Sequence, residues 1–309
     1  MPPDISELPG VSVIICTRDR PARVRECLAA LRVAGETCPD LLFEVLVIEN
    51  GSSASCLLDE KEIRRIAPSA TRLIKLADGG LSMARNFGMM NARGILWAFV
   101  DDDCLVDPAW LCDVYRHWQT MRGDFLLGGR VRLADPEDIA FTIKDVSEAQ
   151  VFHEGVHPGG FIQGCNFIVP RTTAQRIGDF DLRFGAGARF RAGEDTDFII
   201  RAHGLGVPVH YKPDMLVLHR HGRRSFAEID RLNRSYAHAN GAILAKHLFQ
   251  HPWLAKHLLW TIRSGMREKI GGPRFNDQIG LHWQSVVRAQ IAGFAAYVGS
   301  SLRLLRRLS

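Results

Sequence analysis

Paired cysteines are the first thing this chain lacks. Its seven cysteines, at 16, 27, 38, 56, 104, 112 and 165, form no CxxC pair and no zinc-ligand spacing, which counts against a structural zinc or a disulfide framework. Their odd number suggests reduced thiols in a cytoplasm. Residues 1–10 have neither a basic start nor an apolar stretch, so no secretion signal is expected. The longest late uncharged run, 289–302, is fourteen residues with Gln290 inside it, too short to span a bilayer. No GxGxxG follows the first apolar run, which speaks against a Rossmann dehydrogenase. Internal repeats and low-complexity tracts are also missing.

What is present suits an enzyme-sized globular chain. At 309 residues, with 46% hydrophobic and 24% charged residues, it can build a large core, and its length suggests one α/β domain plus an appendage. The net charge of +5 is unevenly placed. Residues 251–309 hold nine Lys/Arg against Glu268 and Asp277, a balance of +7, which leaves −2 for the first 250 residues. A basic tail alone is a weak argument for nucleic acid, and none is expected as a partner.

Apolar runs at 11–16, 43–48, 72–76 and 95–100 read as buried strands, with helices over 21–33 and 82–92 between them. Asp107-Pro108 marks another helix start. Strands are expected at 125–133, 161–169, 207–211 and 215–218, around a loop-rich stretch at 134–160. Short helices fit 172–177 and 195–203, and from Ser225 the pattern is helical, broken at Gly271-Gly272-Pro273. This order predicts a mostly parallel sheet flanked by helices. The expected division is a catalytic domain over 1–222, with halves at about 11–133 and 134–222, and a helical region over 223–309.

The most informative feature is Asp101-Asp102-Asp103, at the C-terminal end of the run 95–100. Parallel strands place their C-terminal loops on one edge of the sheet, where ligands bind in open α/β folds. Three acids repel one another there unless a divalent cation lies between them and an anion, for which a diphosphate is the natural candidate. The plainer reading is an acidic turn in which Asp103 or Asp107 caps the next helix. Three more loops could share that edge: Thr17-Arg18-Asp19-Arg20, Glu49-Asn50-Gly51-Ser52, and Gly79 to Asn86.

The segments VSVIICTRDRP, VLVIENGSS, GGLSMARNFGM, WAFVDDDCLVDPAWL and GEDTDFIIRAHGLG resemble, in order and spacing, the inverting family 2 glycosyltransferases of the GT-A fold over residues 11–220. That resemblance implies a nucleotide-diphospho-sugar donor, usually a UDP-sugar, held by Mn²⁺ or Mg²⁺. Thr17 and Arg18 would flank base and ribose. Glu49 stands where the family commonly has an Asp that receives the uracil N3–H, with Asn50 beside it. Arg85 would meet the diphosphate and Asn86 the base region, although a solvated helix residue and a helix–loop hydrogen bond are the alternatives. Asp103 would bind the metal, and Asp101 or Asp102 the ribose. His219, with His221 as competitor, would add a second ligand and favour manganese; a structural histidine is the alternative. Asp195 would be the general base and Glu194 its orienting partner, unless the two merely complement a helix N-terminus. Gln163 to Asn166 would lie beside the donor sugar, with Cys165 as a packing residue.

These expectations add up to a metal-dependent inverting transferase acting on a hydroxyl of a glycan or glycoconjugate. A sugar-nucleotide-binding protein without turnover is one rival. A nucleotidyltransferase is another, although the 17–20 turn is too short and acidic to cradle a triphosphate. The chain is expected in the cytoplasm. Its basic, leucine-bearing end at 302–308 reads as a packed helix or as a peripheral membrane contact.

Overall fold

The computed structural model describes residues 10–77 and 79–308, with side chains described to residue 302. Strands β1 (Val11–Thr17), β2 (Phe43–Asn50), β3 (Thr71–Leu76) and β4 (Leu96–Asp101) run parallel in the order β3-β2-β1-β4. The buried, largely apolar sequences of β1, β2 and β4 are what a parallel sheet covered on both faces requires, and β3, TRLIKL, is its half-buried edge. Alternation along β1 feeds two cores. Val11, Val13 and Ile15 pack with Leu28 and Leu31 of α1 (Pro21–Thr37) and with Trp110 of α4 (Trp110–Thr120). Ile14 faces the other way, toward Ala84 and Met89 of α3 (Leu81–Asn91) and Phe198 of α6 (Glu194–Gly204).

The sheet continues from β4 into a mixed half. There β8 (Asn166–Pro170) runs antiparallel to β4, and β6 (Leu126–Leu133) antiparallel to β8. Next comes β9 (Val209–His219), parallel to β6, with β5 (Cys104–Val106) and β7 (Gln150–Val151) antiparallel on it. Two registers position the site. Cys16 is level with Asp101, and Thr17 with Glu49, so three strand ends open on one edge. Cys104 pairs with His219, which brings the C-terminal end of β9 against the acidic turn.

Several elements differ from the sequence expectation. The two short strands at 207–211 and 215–218 are one strand, because the register with β6 jumps from Gly129↔Lys212 to Arg130↔Leu216. That bulge takes up Pro213, which has no N–H to give to a ladder. The ladder expected from 161 begins only at Asn166. Helix α2 (Glu60–Ile66) was not anticipated, although Asp59 caps it by accepting from Lys61 N at 2.9 Å. Helix α5 (Arg171–Ile177) lies where expected.

The C-terminal region forms α7 (Phe226–His247), α8 (Leu254–Lys269) and α9 (Trp283–Leu308). Helices α7 and α9 touch backbone to backbone at Gly241 and Gly293, where any Cβ would overlap the opposite helix at Gln290 or His238. Among the described residues no helix is long and apolar enough to cross a membrane. The basic end at 302–308 continues α9, but beyond residue 302 its side chains lie outside the described residues.

Candidate active site

The strand ends and the C-terminal helices enclose a cleft of about 1120 Å³. Of the residues singled out from the sequence, Thr17, Arg18, Asn50, Arg85, Asp101, Asp102, Asp103, Glu194, Asp195 and His219 line it, whereas Glu49 and Asn86 do not.

The acidic turn is held from two sides. Asp102 accepts from Thr17 Oγ1 at 2.7 Å, and one nitrogen of Arg20 bridges Asp102 at 3.1 Å and Asp103 at 3.0 Å. Arg20 was missed as a site residue; its place three residues beyond a strand end was the available signal. Burial pushes Asp102 up to about 6 despite Arg20. Burial would also raise Asp103, but His219 and Arg20 outweigh it and hold that carboxyl below its ordinary value.

His219 Nε2 lies 3.3 Å from Asp103 Oδ1. Burial disfavours its cation, yet the facing carboxylate lifts the imidazole to about 9. An anionic oxygen and an imidazole nitrogen this close, in a cleft with space for phosphate oxygens, fit a small divalent cation, which would displace the imidazole proton. The Cys104 sulfur also lies within 4.8 Å of both ligand atoms. Burial pushes that thiol well up, so it stays protonated packing.

Arg85 is neither a solvated residue nor an unpaired cation. It is 2% exposed, donates to Glu194 at 2.7 Å, and shares its other nitrogen between Asp101 and Gly164 O, each at 3.2 Å. It ties the acidic turn to the start of α6. Gly193, at φ 87°, takes the left-handed conformation that turns the chain into this helix. Burial raises Glu194 to about 7, against the lowering pull of Arg85. Asp195 Oδ2 accepts from Gly164 N at 3.2 Å and its Oδ1 from Thr196 N at 2.6 Å, so both oxygens are oriented at the cleft wall.

Two of the expected contact residues lie off the cleft lining, and for Asn86 the helix–loop alternative is the arrangement found. Glu49 is 1% exposed and turns under the sheet edge, where its Oε1 accepts from Leu58 N at 2.8 Å and Lys75 lies 3.8 Å from its Oε2. Its Oε2 has no hydrogen-bond partner among the described residues, but Glu49 is not part of the cleft lining. Its neighbour Asn50 faces the cleft, with Nδ2 donating to Gly79 O at 3.1 Å and Oδ1 without a partner among the described residues. Asn86 exchanges hydrogen bonds with the backbone of Phe180, at 2.9 and 2.8 Å, and fixes that loop.

That the C-terminal helices would close the cleft was not anticipated from the sequence. Asn233, Tyr236 and Asn240 of α7 line it on one helical face, opposite Trp283 and Gln290 of α9. The Asn233 Nδ2 and Gln290 Oε1 atoms are buried there without partners among the described residues. Polar residues at i, i+3 and i+7, on the side of the helix that also carries buried Ala237, were the available signal. Arg223, just beyond β9, also lines the cleft, and its guanidinium has no carboxylate partner among the described residues.

The chain is 27% identical over 227 residues to the glycosyltransferase AglE of Haloferax volcanii, covering 72% of this chain and 70% of that protein. It is 26% identical over 211 residues to the succinoglycan biosynthesis protein ExoM of Rhizobium meliloti, covering 67% and 65%. Among solved structures it resembles the mannosyltransferase PcManGT of Pyrobaculum calidifontis in complex with GDP-Man and Mn²⁺, with a TM-score of 0.59 at 16% identity over 96% and 89% of the two chains. It also resembles S. aureus TarS 1-349 in complex with UDP-GlcNAc, with a TM-score of 0.53 at 16% identity over 95% and 91%. These structural likenesses establish the GT-A fold. A profile described as Glycosyl transferase family 2 matches residues 12–178, more than half of the chain, and the protein therefore belongs to that family and is a glycosyltransferase.

Proposed function

We propose that this enzyme transfers a sugar from a nucleotide-diphospho-sugar to an acceptor hydroxyl with inversion and with a divalent metal bound, Mn²⁺ being favoured over Mg²⁺. The observation that carries the reading is the Asp103–His219 donor pair in the same cleft as Asp195. Asp103 and His219 would hold the cation, which when bound neutralises charge on the departing diphosphate. Arg223 would meet that diphosphate, because the Arg85 guanidinium is already engaged by two acids. Asp195 would accept the proton of the attacking hydroxyl, its oxygens held by the Gly164 and Thr196 N–H groups.

The unpaired Asn50 Oδ1 is an acceptor for a ring N–H. Uracil and guanine present one and cytosine does not, and a UDP-sugar is the favoured donor. The acceptor, a saccharide or glycoconjugate, would occupy the end of the cleft under α7 and α9, where the Asn233 and Gln290 amides can meet hydroxyls.

Calorimetry with UDP, GDP and CDP, each in Mn²⁺, Mg²⁺ or EDTA, tests the donor side. Metal-dependent binding that His219→Ala abolishes is expected; equal affinity in EDTA would remove the metal from the reading. Asp195→Asn should bind nucleotide normally yet lose about 10²–10⁴ in kcat. Unchanged turnover in that variant would assign the base elsewhere.

A further inference from the structure

Helix α8 has two opposed faces. Leu254, His257, Thr261 and Gly265 are buried against the rest of the molecule. At about 100° per residue, Leu259 and Met266 fall on the other side, and Ile270, the residue that caps the helix after Lys269, continues their line within about 40° of arc. They are 65%, 59% and 86% exposed. Lys256, Arg263 and Arg267 flank this stripe within about the next 60°, and Lys269 and Arg274 add two more exposed cations. None of these five has a carboxylate partner among the described residues, although most of the chain's other arginines are paired. The one acid inside the segment, Glu268, is turned away to His282 Nδ1 at 2.8 Å and Gln284 N at 3.1 Å.

We infer that the outer face of α8 docks on an anionic lipid surface, with its apolar stripe in the headgroup–acyl boundary and its cations on lipid phosphates. Charge complementarity selects this occupant. Unpaired cations attract an anionic surface, and an apolar stripe between them gains by insertion, whereas an RNA would engage the cations and leave the stripe in water. The face is continuous with the cleft. Trp260 and Phe275, 56% and 37% exposed, belong to both, and each meets the Trp283 ring edge-on with centroids 4.9 and 4.8 Å apart. Docking in this way sets the cleft mouth at the headgroup layer, so an acceptor held in the bilayer can reach it. That consequence rests on the transferase reading; the docking itself does not. The surface is also distinct from the basic end at 302–308.

Flotation of the full chain with vesicles of phosphatidylcholine, or of phosphatidylcholine mixed with phosphatidylglycerol, tests the inference without assaying turnover. The chain should float with the anionic vesicles only, and less as salt rises. Arg263→Gln with Arg267→Gln should lower the partition coefficient roughly thirtyfold, at about 1 kcal/mol for each cation. Ile270→Asp should also release it, and because these side chains are exposed, the melting temperature should not move. A chain ending at Leu302 should still float. Failure of the intact chain to float, α8 variants that float normally, or loss of flotation only on removing the tail would each overturn the inference. So would a concentration-dependent dimer that Ile270→Asp dissociates without any vesicle binding.

Discussion

At the scale of single residues, the site is a set of buried charges that satisfy one another before any ligand arrives. Glu194 shows what this implies for pH. Its folded value of about 7 lies above the ordinary 4.5 because burial outweighs Arg85. Between those values the folded protein keeps a proton that the unfolded chain has released, so this group's contribution to stability falls as pH rises across that window. The ion pair with Arg85 forms only on the alkaline side. We expect kcat/KM to rise through an apparent pKa near 7, and Glu194→Gln to flatten that limb at its lower level. An unchanged profile in the variant would show that another group produces it. Asp101–Asp103 could be found in the sequence because an apolar run followed by acids is a local pattern. The direction of the Glu49 side chain could not, since it is set by Leu58 N, nine residues away along a separate loop.

At the scale of elements, two joints hold α6 and the cleft roof. Asp197, fully buried, accepts from Arg201 Nε at 2.9 Å, pairs with His247 Nε2 at 2.7 Å, and also meets Lys246, which pins α6 to α7. Burial would raise its carboxyl, but these partners bring it to about 2 against an ordinary 3.8. That stability is present above 3.8 and is lost as pH falls toward 2, on the order of 2 kcal/mol. Acid unfolding followed by circular dichroism should therefore start at higher pH in a variant that uncouples the joint, such as Lys246→Met. The second joint is the α7–α9 crossing. Gly241→Ala would force the two helix backbones apart and should cost about 1–3 kcal/mol, read as a lower denaturant midpoint with an unchanged slope. The helices themselves were legible from 225 onward, because amphipathic periodicity is local. Their packing partner was not.

At the scale of the whole molecule, the cleft is built by two regions, for which we propose separate tasks. The sheet edge supplies the acids and the loops after the strands, and α7 and α9 supply the far wall with Tyr236, Trp283 and Gln290. If the division holds, Asn233→Ala and Gln290→Ala should raise the acceptor KM severalfold, leaving the donor KM and nucleotide binding by calorimetry unchanged. A rise in the donor KM instead would place the nucleotide under the helices.

The sequence by itself determined what depends on near neighbours: the parallel strands, the acids at the end of the fourth one, the acidic start of the helix at 194, and a family resemblance carried by short segments. Only the tertiary structure decided what depends on chain parts brought together from far apart. The Cys104–His219 pairing brings Asp103 and His219 face to face across more than a hundred residues. Arg85 joins Asp101 to Glu194, and Asn50 rather than Glu49 faces the cleft. Hydrophobic periodicity reports which face of an element is buried. It carries no information about which distant side chain will meet a charge there, and that choice set the chemistry of this site.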